Sequence, residues 1–225
     1  MTLPDFSSLW LSFQLAGWTT LILLIIATPL AWWLAHSQSK AKPLFEALIA
    51  LPLVLPPTVM GFYLLILLNP NSLVGGFWLD LTGQTLTFSF SGLVIASIFY
   101  SLPFMVQPLQ SAFESMTERS MQLAASLGAS PRDAFFTVAF PLARRGFLTA
   151  IVLSFAHTLG EFGIVLMVGG NISERTRVVS IEIYEHVESL NYSQAHALSL
   201  LLLIISFCVL FFVYAYNRRF AVHVS

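Results

Sequence analysis

The sequence predicts an all-α, polytopic membrane protein with about five transmembrane helices. Three observations carry that expectation. Apolar residues make up 57% of the 225-residue chain and charged residues only 9%, against about 25% charged in a typical soluble domain. Phe alone occurs 20 times, more apolar surface than a water-soluble exterior can hide. Five stretches are also long and apolar enough to cross about 30 Å of hydrocarbon.

The first span is expected at Leu9–Ala35, since Met1–Ser8 lacks the positive n-region of a cleavable signal. The second covers Phe45–Leu68 and contains Pro52, Pro56 and Pro57. Each proline removes a backbone donor and frees a carbonyl that must meet protein or water at that depth. This irregular backbone, with the Thr58 hydroxyl beside it, reads as a pathway lining or as a packing kink. Asn69–Thr87 carries turn chemistry in Asn69-Pro70-Asn71-Ser72 and Gly75-Gly76, with room for a re-entrant or sixth segment around Leu73–Leu93. The remaining spans are expected at Phe88–Phe113, Phe147–Val168 and Ala197–Tyr216.

Lys and Arg favour the cytoplasmic side of short loops. Placing the N-terminus outside and the C-terminus inside puts eight of the ten basic residues in the cytoplasm: Lys40, Lys42, Arg119, Arg132, Arg144, Arg145, Arg218 and Arg219. Trp32, Trp33, Tyr214 and Tyr216 then lie near the inner interface, where amphipathic rings are favoured. A net charge of −1 gives no basic field for nucleic acid. The single Cys208 forms neither an internal disulfide nor a thiolate cluster. The five histidines show no metal-ligand spacing, so no bound metal is expected.

The loop at about 114–146 is the busiest polar stretch. Thr117 is placed to cap a short helix, Glu118–Leu127, with Gly128 as its left-handed stop. Ser130 caps a second helix, with Pro131 at its first position and Asp133 completing a capping box. That helix is expected to end near Phe140-Pro141 and to expose Phe135, Phe136 and Ala139. Such side chains either dock a partner or pack back under the spans.

Glu161 is the one carboxylate well inside an expected span. Insertion of such a group costs about 2.5–3.5 kcal/mol, so it faces protein or a wet cavity. It reads as a gate or dimer-seam residue, or as a structural acceptor bonded to a neighbouring helix or to His157. A proton-coupled carrier would also use such a carboxylate. Gly160, Gly163, Gly169 and Gly170 permit close helix approach. The stretch Asn171–His196, with Val178, Val179, Ile181, Ile183, Tyr184 and Val187, is expected to form an interfacial amphipathic helix. Arg175 and Arg177 there suit an oxyanion or a partner's carboxylate. An integral membrane enzyme finds no support, for no nucleophile–base pair or metal cluster shares a face.

Gln122-Leu123-Ala124-Ala125-Ser126-Leu127-Gly128, nine residues, then Val138-Ala139-Phe140-Pro141 resembles the cytoplasmic coupling loop of ABC-importer permeases, Glu-Ala-Ala–three residues–Gly–nine residues–Ile–one residue–Leu-Pro. Gln122, Leu123 and Phe140 depart from that pattern. Leu51-Pro52-Leu53-Val54-Leu55-Pro56-Pro57-Thr58-Val59 with Gly61, and His157-Thr158-Leu159-Gly160-Glu161-Phe162-Gly163 continuing to Gly169-Gly170-Asn171-Ile172, resemble stretches of the molybdate/tungstate/sulfate branch. The resemblance implies a type I importer permease fold forming one transmembrane domain over 1–225. It implies a homodimer in the bacterial inner membrane, two ATP-binding subunits and a periplasmic or extracellular oxyanion-binding protein, with molybdate the first substrate and sulfate or tungstate the alternatives. It assigns coupling to Gln122, Leu123, Ala124, Gly128, Ala129, Ser130, Pro131, Val138 and Pro141. Path or gate roles are expected at Pro56, Pro57, Thr58, Gly160, Glu161 and Gly163, and binding-protein contact at Arg175 and Arg177. No Gly-x-x-x-x-Gly-Lys phosphate loop occurs in the chain, nor any Gly-Lys pair. No cofactor is therefore expected in this chain, and ATP with its Mg ion belongs to the partner ATPase.

Overall fold

The computed structural model describes residues 6–116 and 118–219, the side chains at 118–120 and 216–219 excepted. The expected cap Thr117 and the side chains of Arg119, Tyr216, Arg218 and Arg219 lie outside the described residues, as do Met1–Asp5 and His223. The described residues form helices: α1 (Ser7–His36), α2 (Lys42–Val54), α3 (Pro57–Leu67), α4 (Leu73–Thr82), α5 (Phe90–Glu114), α6 (Glu118–Ser126), α7 (Pro131–Leu159), α8 (Gly163–Gly169), α9 (Val179–Glu188) and α10 (Tyr192–Arg219).

Two apolar clusters fix how the helices run. One joins Leu11 and Leu15 of α1 to Leu64, Leu93, Ile164, Val165 and Ile181. The other joins Leu23, Ala27, Ala31 and Leu34 of α1 to Ile49, Met105, Leu109, Phe113, Ala143 and Phe147. The first halves of α1 and α5 share one cluster and their second halves share the other, so these helices run parallel. Parallel neighbours need one crossing between them, and α2 with α3 supplies it: Ile49 lies in the second cluster and Leu64 in the first. The pair bends by 113° at Leu55-Pro56. Pro57 opens α3 at a position where its missing N–H costs nothing.

In α7, Ala143 and Phe147 occupy the second cluster and the next helix, α8, the first, so α7 runs back against α5. The start of α10 meets Leu9 and Val179 through Leu198, which makes α10 parallel to α1. Four helices are long and apolar enough to span, and the bent pair makes five. Helix α4, ten residues long, rises about 15 Å and is too short to be a sixth span.

Lys40, Lys42, α6, Arg144 and Arg145 thus gather at one end, the basic end, as the charge pattern anticipates. There Lys42 Nζ lies 3.3 Å from Glu114 and 3.7 Å from Glu46, and Gln110 Nε2 donates to Glu46 at 2.8 Å and to Glu114 at 2.9 Å. This network ties α2 to the end of α5.

Three expectations are corrected. The fourth span is not one helix over Phe147–Val168: it is carried by the longer helix Pro131–Leu159, which breaks at Gly160–Phe162 and is followed by a separate helix, α8. The helix expected to end near Phe140-Pro141 continues through both residues. A π-turn over Phe135–Ala139, closed by Phe140 N–H to the Phe135 carbonyl, sits immediately before the proline. A widened turn accommodates a residue that breaks the ladder and crowds the preceding carbonyls. The segment around α9 does not present its whole apolar face outward: Tyr184 and Val187 are exposed, but its first turns pack into the protein. Val178, Val179 and Ile181 are buried in protein, and Val179 N–H donates to Ser12 Oγ of α1 at 2.8 Å.

Candidate functional site

Two places bring the expected functional residues together. The first is the corner between α6 and α7. Gly128 has φ +86°, which favours a residue without Cβ. Gly128 N–H donates to the Ala125 carbonyl and Ala129 N–H to that of Ala124, both at 3.0 Å, a complete Schellman stop. Ser130 Oγ accepts from Asp133 N–H at 3.2 Å and also donates to the Asp133 carboxylate. The second bond differs from a strict capping box, in which the acidic side chain would reach the cap's own N–H.

Ala124 is buried, whereas Gln122, Gly128, Ser130 and Pro131 are exposed. Leu123 is 56% and Leu127 88% exposed. Of the aromatics expected outside, Phe136 is exposed. Phe135 packs edge-on to Trp32 at 5.4 Å and Ala139 is fully buried, so these two pack under the spans. Val138 is half-buried, and Pro141 lies beyond the π-turn, in the first turn after it.

The second place is the break between α7 and α8. A cavity of about 610 Å³ is lined by Pro57, Thr58, Tyr100, His157, Gly160, Glu161 and Gly163, among others. Three segments distant in sequence thus meet here, the start of α3, the middle of α5 and the α7–α8 break. Pro56 stands outside this lining, as the residue that caps α3. A Cβ on Gly163 would come within 2.8 Å of Pro57 Cβ, so α3 and α8 approach as closely as they do because this residue has none. Gly160 ends α7, exposed.

Glu161 is 4% exposed and follows the end of α7 rather than lying within a helix. Its Oε2 accepts from Ser97 Oγ of α5 at 2.7 Å. Its Oε1 is buried with no hydrogen-bond partner, and its backbone carbonyl accepts from Ser180 Oγ at the start of α9. The neighbouring-helix acceptor is therefore what the structure shows, and His157 is not its partner. His157 Nδ1 pairs with Ser101 Oγ at 2.9 Å, and its ring stacks on Phe104 at 3.9 Å. Ser101 Oγ also meets Thr158 Oγ1 at 2.9 Å.

Ser97, Tyr100, Ser101 and Ser180 escaped the sequence reading. The signal for two of them was present: hydroxyls four apart at Ser97 and Ser101 fall on one face of α5. On α9, Glu182 is also buried, 3.6 Å from His186. Arg177 Nε is engaged with Glu185 at 3.3 Å and Asn171 at 2.6 Å, while Arg175 is exposed.

Residues 27–222 match the family described as "Binding-protein-dependent transport system inner membrane component". The chain belongs to that family. This transport component is 53% identical to the molybdenum transport system permease protein ModB of Azotobacter vinelandii, over 98% of this chain and 97% of that one. It is 33% identical to the probable sulfate transport system permease protein cysT of Zygnema circumcarinatum, over 92% of this chain and 72% of the relative. Its fold matches that of a bacterial ABC transporter involved in the import of the acidic polysaccharide alginate, with a TM-score of 0.76 at 16% identity, over 96% of this chain and 79% of the other. It is a transporter subunit, not an enzyme.

Proposed function

We propose that this chain is the permease of an ATP-driven importer that moves molybdate into the bacterial cytoplasm. The observation that carries the substrate is the 53% identity to a molybdenum permease along nearly the whole of both chains. Sulfate remains the second choice, because the sulfate relative matches at lower identity and over less of its length. In this reading the protein works as a homodimer in the inner membrane with two ATPase subunits, which bind ATP and its Mg ion, and a periplasmic oxyanion-binding protein. The N-terminus faces outward, and the basic end faces the cytoplasm.

The α6–α7 corner suits ATPase docking because Leu123 and Leu127 project apolar surface from a turn fixed by Gly128 and Ser130. The cavity at Pro57, Thr58, Gly160, Glu161 and Gly163 suits a path wall because it joins a broken span to a break between helices. Such irregular backbone persists at membrane depth where it lines a cavity or is buried in protein. ATP-driven closure of the partner would bias a rigid-body shift between inward- and outward-facing states.

Uptake into vesicles that hold the complete complex tests this. The expected result is molybdate accumulation that requires both ATP and the binding protein. Uptake that persists without the ATPase, driven by a pH gradient, would favour a proton-coupled carrier and overturn the proposal.

A further inference from the structure

The wall of the cavity at the α7–α8 break holds one ring whose hydrogens can be counted. His157 stands on that wall with Thr58 and Tyr100. Its ring stacks on Phe104 at 3.9 Å and tilts against Tyr100 at 5.0 Å, so packing fixes its orientation. Nδ1 meets Ser101 Oγ, and that oxygen also meets Thr158 Oγ1, both at 2.9 Å. The other nitrogen, Nε2, has no protein partner among the described residues, and it is not sealed in as Thr19 Oγ1 and Ser154 Oγ are.

Two directions of bonding fit these distances, and each hydroxyl has a single hydrogen to give. In the first, Thr158 donates to Ser101, Ser101 donates to Nδ1, and the imidazole proton sits on Nε2. In the second, Nδ1–H donates to Ser101 and Ser101 donates to Thr158. A ring protonated on both nitrogens forces the second direction too. The Thr158 hydrogen is then left over, because Ser101 is the only hydrogen-bond partner of that hydroxyl among the described residues. Thr158 is 3% exposed and does not line the cavity, and an orphaned buried donor costs free energy. The first direction uses every hydrogen.

We propose that His157 is a solute contact of the path: the Thr158–Ser101 pair fixes its neutral tautomer, and Nε2–H faces the cavity as a hydrogen-bond donor to a passing tetrahedral oxyanion. The proposal rests on the transport reading and deepens it. No Lys or Arg lines this cavity, so dipoles are all that this chain offers an anion there. The hydroxyls of Thr58 and Tyr100 are the other side-chain donors on the wall, and Glu161 beside them accepts from Ser97. Neutral donors suit a site that must release what it admits, since passage requires binding weak enough to leave.

The test uses the complete complex in vesicles, supplied with ATP and solute-loaded binding protein. H157L keeps the bulk and removes the donor, whereas H157Q keeps an amide N–H near the place of Nε2. H157L is expected to cut molybdate uptake about tenfold, the loss of one hydrogen bond to a charged group. ATP hydrolysis should stay near the wild-type rate, so that fewer ions move per ATP, and H157Q should restore most of the uptake. ¹⁵N spectra of the histidine-labelled permease in the same complex read the tautomer, with H157Q identifying the His157 signals. The wild type should carry its proton on Nε2, and S101A should mix the two tautomers. Undiminished uptake in H157L, or H157Q no better than H157L, would overturn the contact. So would a wild-type proton on Nδ1, or ATP hydrolysis that falls in step with uptake and marks a structural role. A wild-type complex that takes up neither molybdate nor sulfate would instead overturn the transport reading, and this contact with it.

Discussion

Ser12 shows how much a single hydroxyl can hold in this protein. It donates to the Ser8 carbonyl at 2.8 Å and accepts the Val179 N–H at 2.8 Å, pinning α9 to α1 where both are buried. Removing the hydroxyl in S12A orphans a buried backbone donor, which costs about 1–3 kcal/mol; thermal unfolding of the purified protein in detergent should show the lower midpoint. Gly163 makes the complementary case. A methyl group there meets Pro57 at 2.8 Å, so G163A overpacks the α3–α8 contact by about 1–3 kcal/mol, and the same melt should detect it. Single residues were legible in the sequence when their role was local. Gly128 and Ser130 could be placed because stop and cap chemistry depends on neighbours three or four positions away. Ser12 and Ser97 could not, since their partners lie 167 and 64 positions along the chain.

Among the elements, the proline-broken second span was readable and the fourth was not. Pro56-Pro57 announces a break because neither residue can donate to a helical ladder. Gly160-Glu161-Phe162 carries no such mark, and its apolar flanks read as one continuous span. Pro141 misled in the other direction, because the π-turn ahead of it lets the helix continue. The α6–α7 corner yields the sharpest expectation at this scale. Leu127 touches little of its own protein at 88% exposure, so L127E should leave the melting midpoint unchanged while greatly reducing co-purification with the ATPase. G128D should likewise lose the partner while still inserting, because a side chain at φ +86° strains the stop at a cost of about 1 kcal/mol. Unchanged co-purification in both variants would place docking elsewhere.

For the whole molecule, the parallel pairing of α1 with α5 and with α10 makes the number of crossings odd. The expected count of about five thus acquires a geometric reason. The sequence could not supply it, because hydropathy reports lengths and not neighbours. Lipid-facing composition was legible throughout: α10 exposes Leu203, Phe207, Phe211 and Phe212, as a helix at the bundle's edge should. The absolute orientation yields a direct prediction. On a C208S background, a membrane-impermeant maleimide applied to intact spheroplasts should label G83C and leave S126C untouched until the membrane is permeabilised. The reverse pattern would invert the topology.

The long helix α7 has a mechanical meaning. Its 29 residues span about 43 Å at 1.5 Å per residue, from the exposed corner at Gly128 to the threshold of Glu161. In the proposed reading it would serve as a connecting rod between the Gly128 stop and the Gly160–Phe162 break, with one softer collar at the π-turn. A tilt imposed at Pro131 would then reach Leu159 as displacement, less what the π-turn takes up. A flexible insertion in the middle of this rod should leave both ends folded and disconnect them from each other.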